Sequence, residues 1–120
     1  MNNEYRFTLP FPPSVNHYWR RRGGLYFISK KGQEYRRAVI EIITQLGLNI
    51  HTEARLKIRI IANMPDRRRR DLDNILKAVG DSLEHAGFMN DDNQFDSIRI
   101  DRGELLPPGR LGITITEIAQ

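Results

Sequence analysis

The hydrophobic pattern between residues 55 and 83 changes from the period of a β-strand to that of an α-helix, which restricts how the chain can fold. Leu56, Ile58 and Ile60 alternate with polar residues in Arg55–Met64, and Pro65 closes this predicted strand. Apolar residues of helical spacing then continue towards Gly87: they are Ile75, Leu76, Val79 and Leu83. The eleven residues MPDRRRRDLDN, numbers 64 to 74, therefore lie at a strand-to-helix junction.

The same two periods predict the elements of the rest of the chain. Strands are predicted at Tyr5–Phe11, Leu25–Ile28, about Phe95–Ile100 and Leu111–Ile118, and a further helix runs from the N-cap Ser29 to Leu46. Its apolar stripe is Tyr35, Val39, Ile42, Ile43 and Leu46. The segment Ser14–Gly24 has no sustained period and is predicted to be a long loop. We therefore predict one α+β domain over residues 1–120, with a mixed sheet of four or five strands and two helices packed on it.

Charge and cysteine content exclude several classes of protein. A net charge of +4 and a pI near 9.8 favour an anionic partner. The chain has no cysteine, which excludes disulfides, thiolate nucleophiles and thiolate zinc sites and fits a reducing cytoplasm. The sequence shows no signal-peptide pattern, and no apolar run approaches the ~20 residues of a membrane helix. It also lacks a glycine-rich phosphate loop and a nucleotide-binding fingerprint, so we expect a cytoplasmic protein without membrane contact or a nucleotide cofactor.

The junction at residues 64–74 sets four arginines against a pair of aspartates. Arg67–Arg70 repel one another, whereas Asp71 and Asp73 offer the oxygen ligands that Mg²⁺ prefers. A phosphodiester uses both features, because guanidinium groups bind its non-bridging oxygens and a carboxylate-held metal polarises the phosphorus and activates water. The cluster therefore indicates a metal-dependent nuclease.

Each residue of this cluster also has a structural interpretation. Residues two apart on a helix point to nearly opposite sides, so Asp71 and Asp73 share a metal only if Asp71 is extended. Without their arginine neighbours, the two acids are equally compatible with an N-cap and a first-turn acid. Lys77 fits a surface ion pair or a group that steadies the scissile phosphate, and Asn74 fits a helix start or a hydrogen-bonding partner of the site.

An acidic turn supplies the candidate for a third metal ligand. Asp91 and Asp92 follow the second predicted helix, and most acidic turns are solvated surface. Metal-dependent hydrolysis requires more ligands than two aspartates, which makes Asp92 the candidate, with Asp96 and Asp101 weaker ones.

A basic and aromatic segment, NHYWRRR, is a candidate for nucleic-acid binding. Tyr18 and Trp19 are predicted to stack on bases, and Arg20, Arg21 and Arg22 to bind phosphates. A core aromatic pair beside a solvated basic loop explains the segment equally well.

At MPDRRRRDLDN the chain closely resembles the RusA-type Holliday junction resolvases, small dimeric endonucleases of bacteria and their phages. The matching motifs, in family order, are Pro12-Pro13-Ser14 with Asn16, GQEYR, RDLDNxxK, Asp81 with Leu83, Gly87-Phe88 before Asp91-Asp92, and ITITE. The resemblance implies that Asp71, Asp73 and Asp92 bind Mg²⁺. It also implies that Arg70 and Lys77 act in catalysis or substrate binding. We assign DNA contacts to Arg67, Arg68, Arg69, Arg20, Arg21, Arg22, Asn16 and Asn74.

The resemblance implies a Mg²⁺-dependent endonuclease that resolves four-way DNA junctions by paired symmetric nicks with 5′-phosphate ends, in recombination and repair. A junction of two-fold symmetry must be cut in two opposed strands, so a chain with one site is expected to act as a homodimer. The alternatives are a non-catalytic basic nucleic-acid-binding module and a nuclease for other branched DNA.

Overall fold

The structure, a computed structural model, describes residues 3–119 and consists of a four-stranded sheet, a separate β-hairpin and three helices. The elements in chain order are β1 (Glu4–Pro10), α1 (Val15–Tyr18), β2 (Trp19–Arg22), β3 (Leu25–Ile28), α2 (Lys30–Gln45), β4 (Leu56–Asn63), α3 (Leu72–His85), β5 (Phe95–Arg102) and β6 (Arg110–Glu117). A single 3-10 turn, Asp92–Gln94, precedes β5. No helix within residues 3–119 is long and apolar enough to cross a membrane.

The main sheet has the strand order β1-β6-β4-β5 and is mixed. β6 pairs antiparallel with both β1 and β4, whereas β4 and β5 are parallel. Parallel neighbours require a crossover connection, and α3 provides it between β4 and β5. The charged junction consequently follows the carboxyl end of β4, where open sheets with helical crossovers commonly bind ligands.

One face of the sheet forms the core with α2 and α3. Alternate residues of β4 are fully buried, while Lys57 and Arg59 on the opposite face are exposed. Period-two alternation thus gives one covered and one solvated face. The helices contribute the residues that their spacing predicts, among them Val39 and Ile43 of α2 and Val79 of α3, each with 0% exposure.

The predicted α+β class, with helices packed on a mixed sheet, is confirmed. Ser29 caps α2, because its hydroxyl accepts a hydrogen bond from the Gly32 N–H, and Gly47 follows the helix with φ +68°. The prediction that Leu46 belongs to the buried apolar stripe of this helix is wrong, since Leu46 is the C-cap and is 53% exposed.

The predicted loop over residues 14–24 is also wrong, because this segment contains α1 and β2. β2 pairs antiparallel with β3 as a hairpin separate from the main sheet. Gly23 and Gly24 connect the strands, both with positive φ (55° and 81°), as a two-residue hairpin turn requires. β2 is not recognisable in the sequence, because its three consecutive arginines show no alternation of apolar and polar residues.

Candidate active site

Asp71 lies at the boundary between the loop after β4 and the first turn of α3. It is the N-cap residue in position, with extended backbone angles (φ −91°, ψ 133°), but its side chain makes no capping hydrogen bond. Its carboxylate is therefore not engaged by the helix. Asp71 thus has the extended backbone that it needs to share a metal ion with Asp73. The metal site itself stays a prediction.

One face of α3 carries polar residues at helical spacing. Asp73, Lys77, Gly80 and Glu84 follow one another at intervals of four, three and four residues, which places them on the same side of the helix. Asp73 and Lys77 are exposed. Gly80 lies ~10 Å further along the axis than Asp73, at 1.5 Å per residue.

Asp92 packs against this face at Gly80. A Cβ added at Gly80 would lie 3.2 Å from both Cβ and Oδ2 of Asp92. The glycine therefore leaves the space that the aspartate occupies. The backbone N–H of Asp92 donates a hydrogen bond to Glu84 Oε1 at 2.5 Å, which ties the turn to α3 one turn further along.

The two acids of the turn have different roles. Asp91 caps the 3-10 turn: its Oδ1 accepts from the Asn93 N–H at 2.8 Å, and its own N–H donates to Gln94 Oε1 at 2.9 Å. The Gln94 amide also donates to the carbonyls of Thr52 and Ala54, which anchors the turn to the chain before β4. Asp91 thus holds the turn, and Asp92 presents its carboxylate to α3.

Glu84, Asp91 and Asp92 form the acidic group of this region. One carboxylate oxygen from each lies within 4.8 Å of the others, and this is the only such group of three within residues 3–119. Burial, reinforced by the neighbouring carboxylates, raises the pKa of Asp92 and of Glu84 above their ordinary values. Crowded negative charge of this kind favours a bound cation.

The predicted ligands Asp71 and Asp73 do not belong to that group. They lie at the N-terminal end of the helical face, and Asp92 lies beside its middle. The weaker candidates are engaged elsewhere: Asp96 pairs with Arg55, and Asp101 pairs with Arg99.

Arg70 is the one arginine of the run that is fixed by other side chains. Its two terminal nitrogens pair with both carboxylate oxygens of Asp66, at 2.5 and 3.1 Å, and its guanidinium carbon lies 5.5 Å from the centroid of the Phe11 ring. The hydrogen bond from Arg70 lowers the pKa of Asp66 to about 2. The pair orders the loop directly before Asp71.

The other three arginines point to solvent. Arg68 makes a long contact of 3.5 Å with Asp66 and is 83% exposed, while Arg67 and Arg69 have no ion-pair partner among residues 3–119. A cavity of about 270 Å³ opens beside Arg69 and Arg70, lined by Phe11, Pro12, Pro13, Ser14, Arg69, Arg70, Asp71, Asn74 and Ile75. Asn74 therefore shares one concave site with Asp71 and two arginines.

Tyr18 is a core residue, so its predicted stacking on bases is wrong. It is 1% exposed, and its hydroxyl donates to the Asp81 carboxylate. Arg36 also binds Asp81, through Nε and Nη2 at 2.7 and 2.8 Å, and lies over the half-buried ring of Trp19. The aromatic pair and this ion pair join α1, α2 and α3.

The remaining predicted DNA contacts lie on the surface around α1 and the hairpin. Arg20, Arg21 and Arg22 are exposed along β2, and Asn16 is exposed in α1. The structure does not bring these residues to Asp71, but it leaves them accessible.

Sequence reasoning did not identify Glu84, Asp66 or Gly80 as parts of the site. A sequence signal existed for Glu84, because it continues the four-three-four spacing from Asp73 on a predicted helix. Asp66 lies only four residues before Arg70, but an acid near a run of arginines does not show which arginine it binds. No sequence signal existed for Gly80, whose contact with Asp92 depends on the turn that follows α3.

The chain is similar in sequence to one family of endodeoxyribonucleases. A model of the family described as "Endodeoxyribonuclease RusA" matches residues 10–116. The crossover junction endodeoxyribonuclease rusA of Enterobacteria phage HK97 is 64% identical over 116 residues, 97% of each chain. Proteins of the same description from Shigella sonnei (strain Ss046) and Escherichia coli (strain K12) are 48% and 47% identical, again over 97% of both chains.

Proposed function

The chain belongs to the RusA family of endodeoxyribonucleases, and we propose that it cuts four-way DNA junctions by divalent-metal-dependent hydrolysis of two phosphodiester bonds. The observation that carries the proposal is the face of α3. Asp71 is the N-cap of this helix and makes no capping hydrogen bond, Asp73 and Lys77 are exposed in its first turns, and Asp92 packs against Gly80. The arginines directly precede Asp71 in the chain, and Arg69 and Arg70 line the same cavity as Asp71.

The donor set fits a hard divalent cation, and we propose Mg²⁺. All predicted ligands are carboxylates, which Mg²⁺ prefers. Burial and the neighbouring Asp91 raise the pKa of Asp92, and a cation would offset the repulsion among the carboxylates of Glu84, Asp91 and Asp92. We propose that Asp71, Asp73 and Asp92 hold the metal together with the scissile phosphate. When bound, it supplies Lewis-acid polarisation of the phosphorus and an activated water.

The side chains around the carboxylates have separate tasks. Lys77 lies between Asp73 and Asp92 on the helix face, where its ammonium would offset the charge that develops on the phosphate oxygens. Arg70, held by Asp66, fixes the entry of the chain into Asp71. Exposed Arg67 and Arg69 are free to bind the neighbouring phosphates, so affinity is expected to fall with salt.

The proposed products are paired nicks with 5′-phosphate and 3′-hydroxyl ends. We propose a symmetric homodimer, because a junction of two-fold symmetry presents two equivalent strands to a chain that carries one set of aspartates.

The test is cleavage of a labelled mobile four-way junction with Mg²⁺ and with EDTA. The wild type is compared with Asp73→Asn and with Glu53→Gln, which removes one exposed acid outside the site. We expect ligatable nicks in two opposed strands for the wild type and the Glu53 variant, and none with EDTA or Asp73→Asn. Junction binding by Asp73→Asn is expected to persist, because the arginines are intact.

Two outcomes would contradict the proposal. Binding without cleavage across several divalent metals would indicate a non-catalytic module. Faster cleavage of a flap than of a four-way junction would indicate a nuclease for other branched DNA.

A further inference from the structure

The hairpin of β2 and β3 exposes three consecutive apolar side chains. Leu25, Tyr26 and Phe27 are 73%, 72% and 45% exposed. Single exposed apolar residues are ordinary, but an adjacent group on a protruding two-stranded element marks an interaction site. Their shared exposure makes the hairpin a candidate interaction site.

The hairpin is attached firmly to the body of the protein. The backbone N–H of Ser29 donates to the Tyr18 carbonyl at 2.9 Å. A Cβ added at Gly32 would lie 2.5 Å from the same Tyr18 oxygen and 2.7 Å from Ile28 Cγ1, so α2 approaches the hairpin base as closely as a glycine allows. The exposed residues 25–27 are thus held on a fixed part of the protein, which lowers the entropic cost of binding a partner.

The two faces of the hairpin differ. Arg20 is opposite Phe27 and Arg22 is opposite Leu25, and residues directly opposite each other lie on the same face. The other face carries Trp19 and Ile28, which pack against the core, and Arg21, whose guanidinium lies 5.7 Å from the Tyr26 ring centroid. The outward face therefore combines an aromatic ring and a leucine with two arginines.

Three adjoining concavities lie between this face and the candidate active site, and neighbouring ones share lining residues. The groove at the hairpin has only basic charged residues in its lining, namely Arg20, Arg21, Arg22, Lys30 and Lys31. It shares His17 and Lys31 with a second concavity, whose lining includes Arg68, Arg69 and Arg70 and one acid, Glu34. That concavity in turn shares Arg69 and Arg70 with the cavity of Asp71. A nucleic-acid backbone can follow this track from Asp71 to the hairpin.

We propose that the hairpin holds the branch point of the DNA, with Phe27 stacked on a base that the open junction exposes and Arg20 and Arg22 on the adjacent phosphates. This inference rests on the proposed junction-cutting function. Within a duplex each base face is covered by its neighbour, whereas the last pair of each arm at an open branch point has a free face. Stacking on an aromatic ring tolerates any base, so the contact selects branched structure and not sequence.

A second copy of the chain fits this surface less well. Each hairpin carries three arginines and no acid, and the groove lining contains no acid either. A two-fold contact between the outward faces would bring four guanidinium groups together, Arg20 and Arg22 of each copy, which like-charge repulsion opposes. DNA supplies the opposite charge and the flat apolar surface at once.

The test compares binding to a four-way junction and to a linear duplex of the same sequence, in EDTA so that no strand is cut. Phe27→Ser is expected to weaken junction binding about 10-fold and duplex binding less than 2-fold. Phe27→Trp is expected to retain junction binding, and Phe27→Leu is not, which separates stacking from simple burial. The control is Leu46→Ser, which removes a side chain that is 53% exposed on α2 and is expected to bind as wild type.

The salt dependence separates the two kinds of contact. Arg20→Ala is expected to reduce the slope of log K against log salt by about 1, and Phe27→Ser is expected to leave it unchanged. Equal weakening of junction and duplex binding by Phe27→Ser, or no effect, would overturn the proposal. So would conversion of a dimer to a monomer by Phe27→Ser in sedimentation equilibrium, because the hairpin would then contact a second copy.

Cleavage by the wild type is measured separately. Junction-selective binding that depends on Phe27 without cleavage would refute the proposed nuclease function alone. Junction cleavage with wild-type binding by Phe27→Ser would refute the role of the hairpin alone.

Discussion

The two aspartates of the acidic turn have different structural roles. Asp91 is occupied as the cap of the 3-10 turn, whereas Asp92 is aimed at α3 and its backbone N–H is held by Glu84. Tandem acids in a sequence are chemically equivalent, and their hydrogen bonds distinguish them. We therefore keep Asp92 as the proposed ligand of the two, and we propose that Glu84 positions it through the hydrogen bond from the Asp92 N–H.

The role of Glu84 leads to a prediction. Glu84→Gln keeps an oxygen acceptor for the Asp92 N–H and is expected to cut junctions within about 2-fold of the wild-type rate. Glu84→Ala leaves that donor without its partner and is expected to slow single-turnover cleavage about 5- to 10-fold without changing junction affinity. Glu41→Ala, an exposed change on α2, serves as the control. A rate for Glu84→Gln as low as that for Glu84→Ala would mean that its charge binds the metal directly.

At the scale of elements, the ion pair of Arg36 and Asp81 joins the three helices. It is mostly buried, with 20% and 15% of the two side chains exposed, and Tyr18 completes it from α1. Burial alone would raise the pKa of Asp81, but the hydrogen bonds from Arg36 and Tyr18 lower it below the usual 3.8. The hairpin begins directly after Tyr18, so this pair also sets where the hairpin starts.

Removal of the Asp81 charge is expected to destabilise the fold in a pH-dependent way. Because the folded pKa is lowered, the ionised carboxylate stabilises the native state above pH ~4 and this contribution is lost as pH falls below that value. Asp81→Asn is expected to lower the free energy of unfolding by about 2 to 4 kcal/mol at pH 6, and by less at pH 3, in urea titrations. Asp96→Asn breaks an arginine pair that is 37% and 46% exposed, and a loss of similar size there would contradict the role of burial.

At the scale of the whole molecule, the crossover topology brings the arginine loop and the acidic turn to the same helix, α3. The β4-α3-β5 unit brings the arginine loop to the carboxyl end of β4, and the segment between α3 and β5 carries Asp92 back to the same helix. The basic grooves continue from there to the hairpin. Within residues 3–119 one chain presents one acidic group of three carboxylates, so the proposed paired cutting calls for two chains.

Mixing the wild type with an inactive variant tests whether two subunits of one dimer make the two proposed nicks. Wild type alone is expected to linearise a plasmid that carries a cruciform, because two active subunits cut within one encounter. An equal mixture of wild type with Asp73→Asn, allowed to exchange subunits, is expected to accumulate nicked circles, since mixed dimers hold one active site. Glu53→Gln in place of Asp73→Asn is expected to change nothing. Nicked circles from the wild type alone would instead indicate independent monomers.

The sequence by itself determined the class of fold, the strand-to-helix junction and the residue types of the site, because hydrophobic period and local charge are properties of neighbouring residues. It allowed the extended backbone that Asp71 has, and it correctly predicted that Ser29 caps α2. The family resemblance was confirmed by the comparisons. Only the tertiary structure decided that Tyr18 is buried, that Asp92 packs against Gly80, and that the rings of β3 are exposed. These outcomes depend on contacts between segments distant in the chain or on which face of a strand meets the core. Such contacts follow from the packing of the complete domain, which local spacing does not encode.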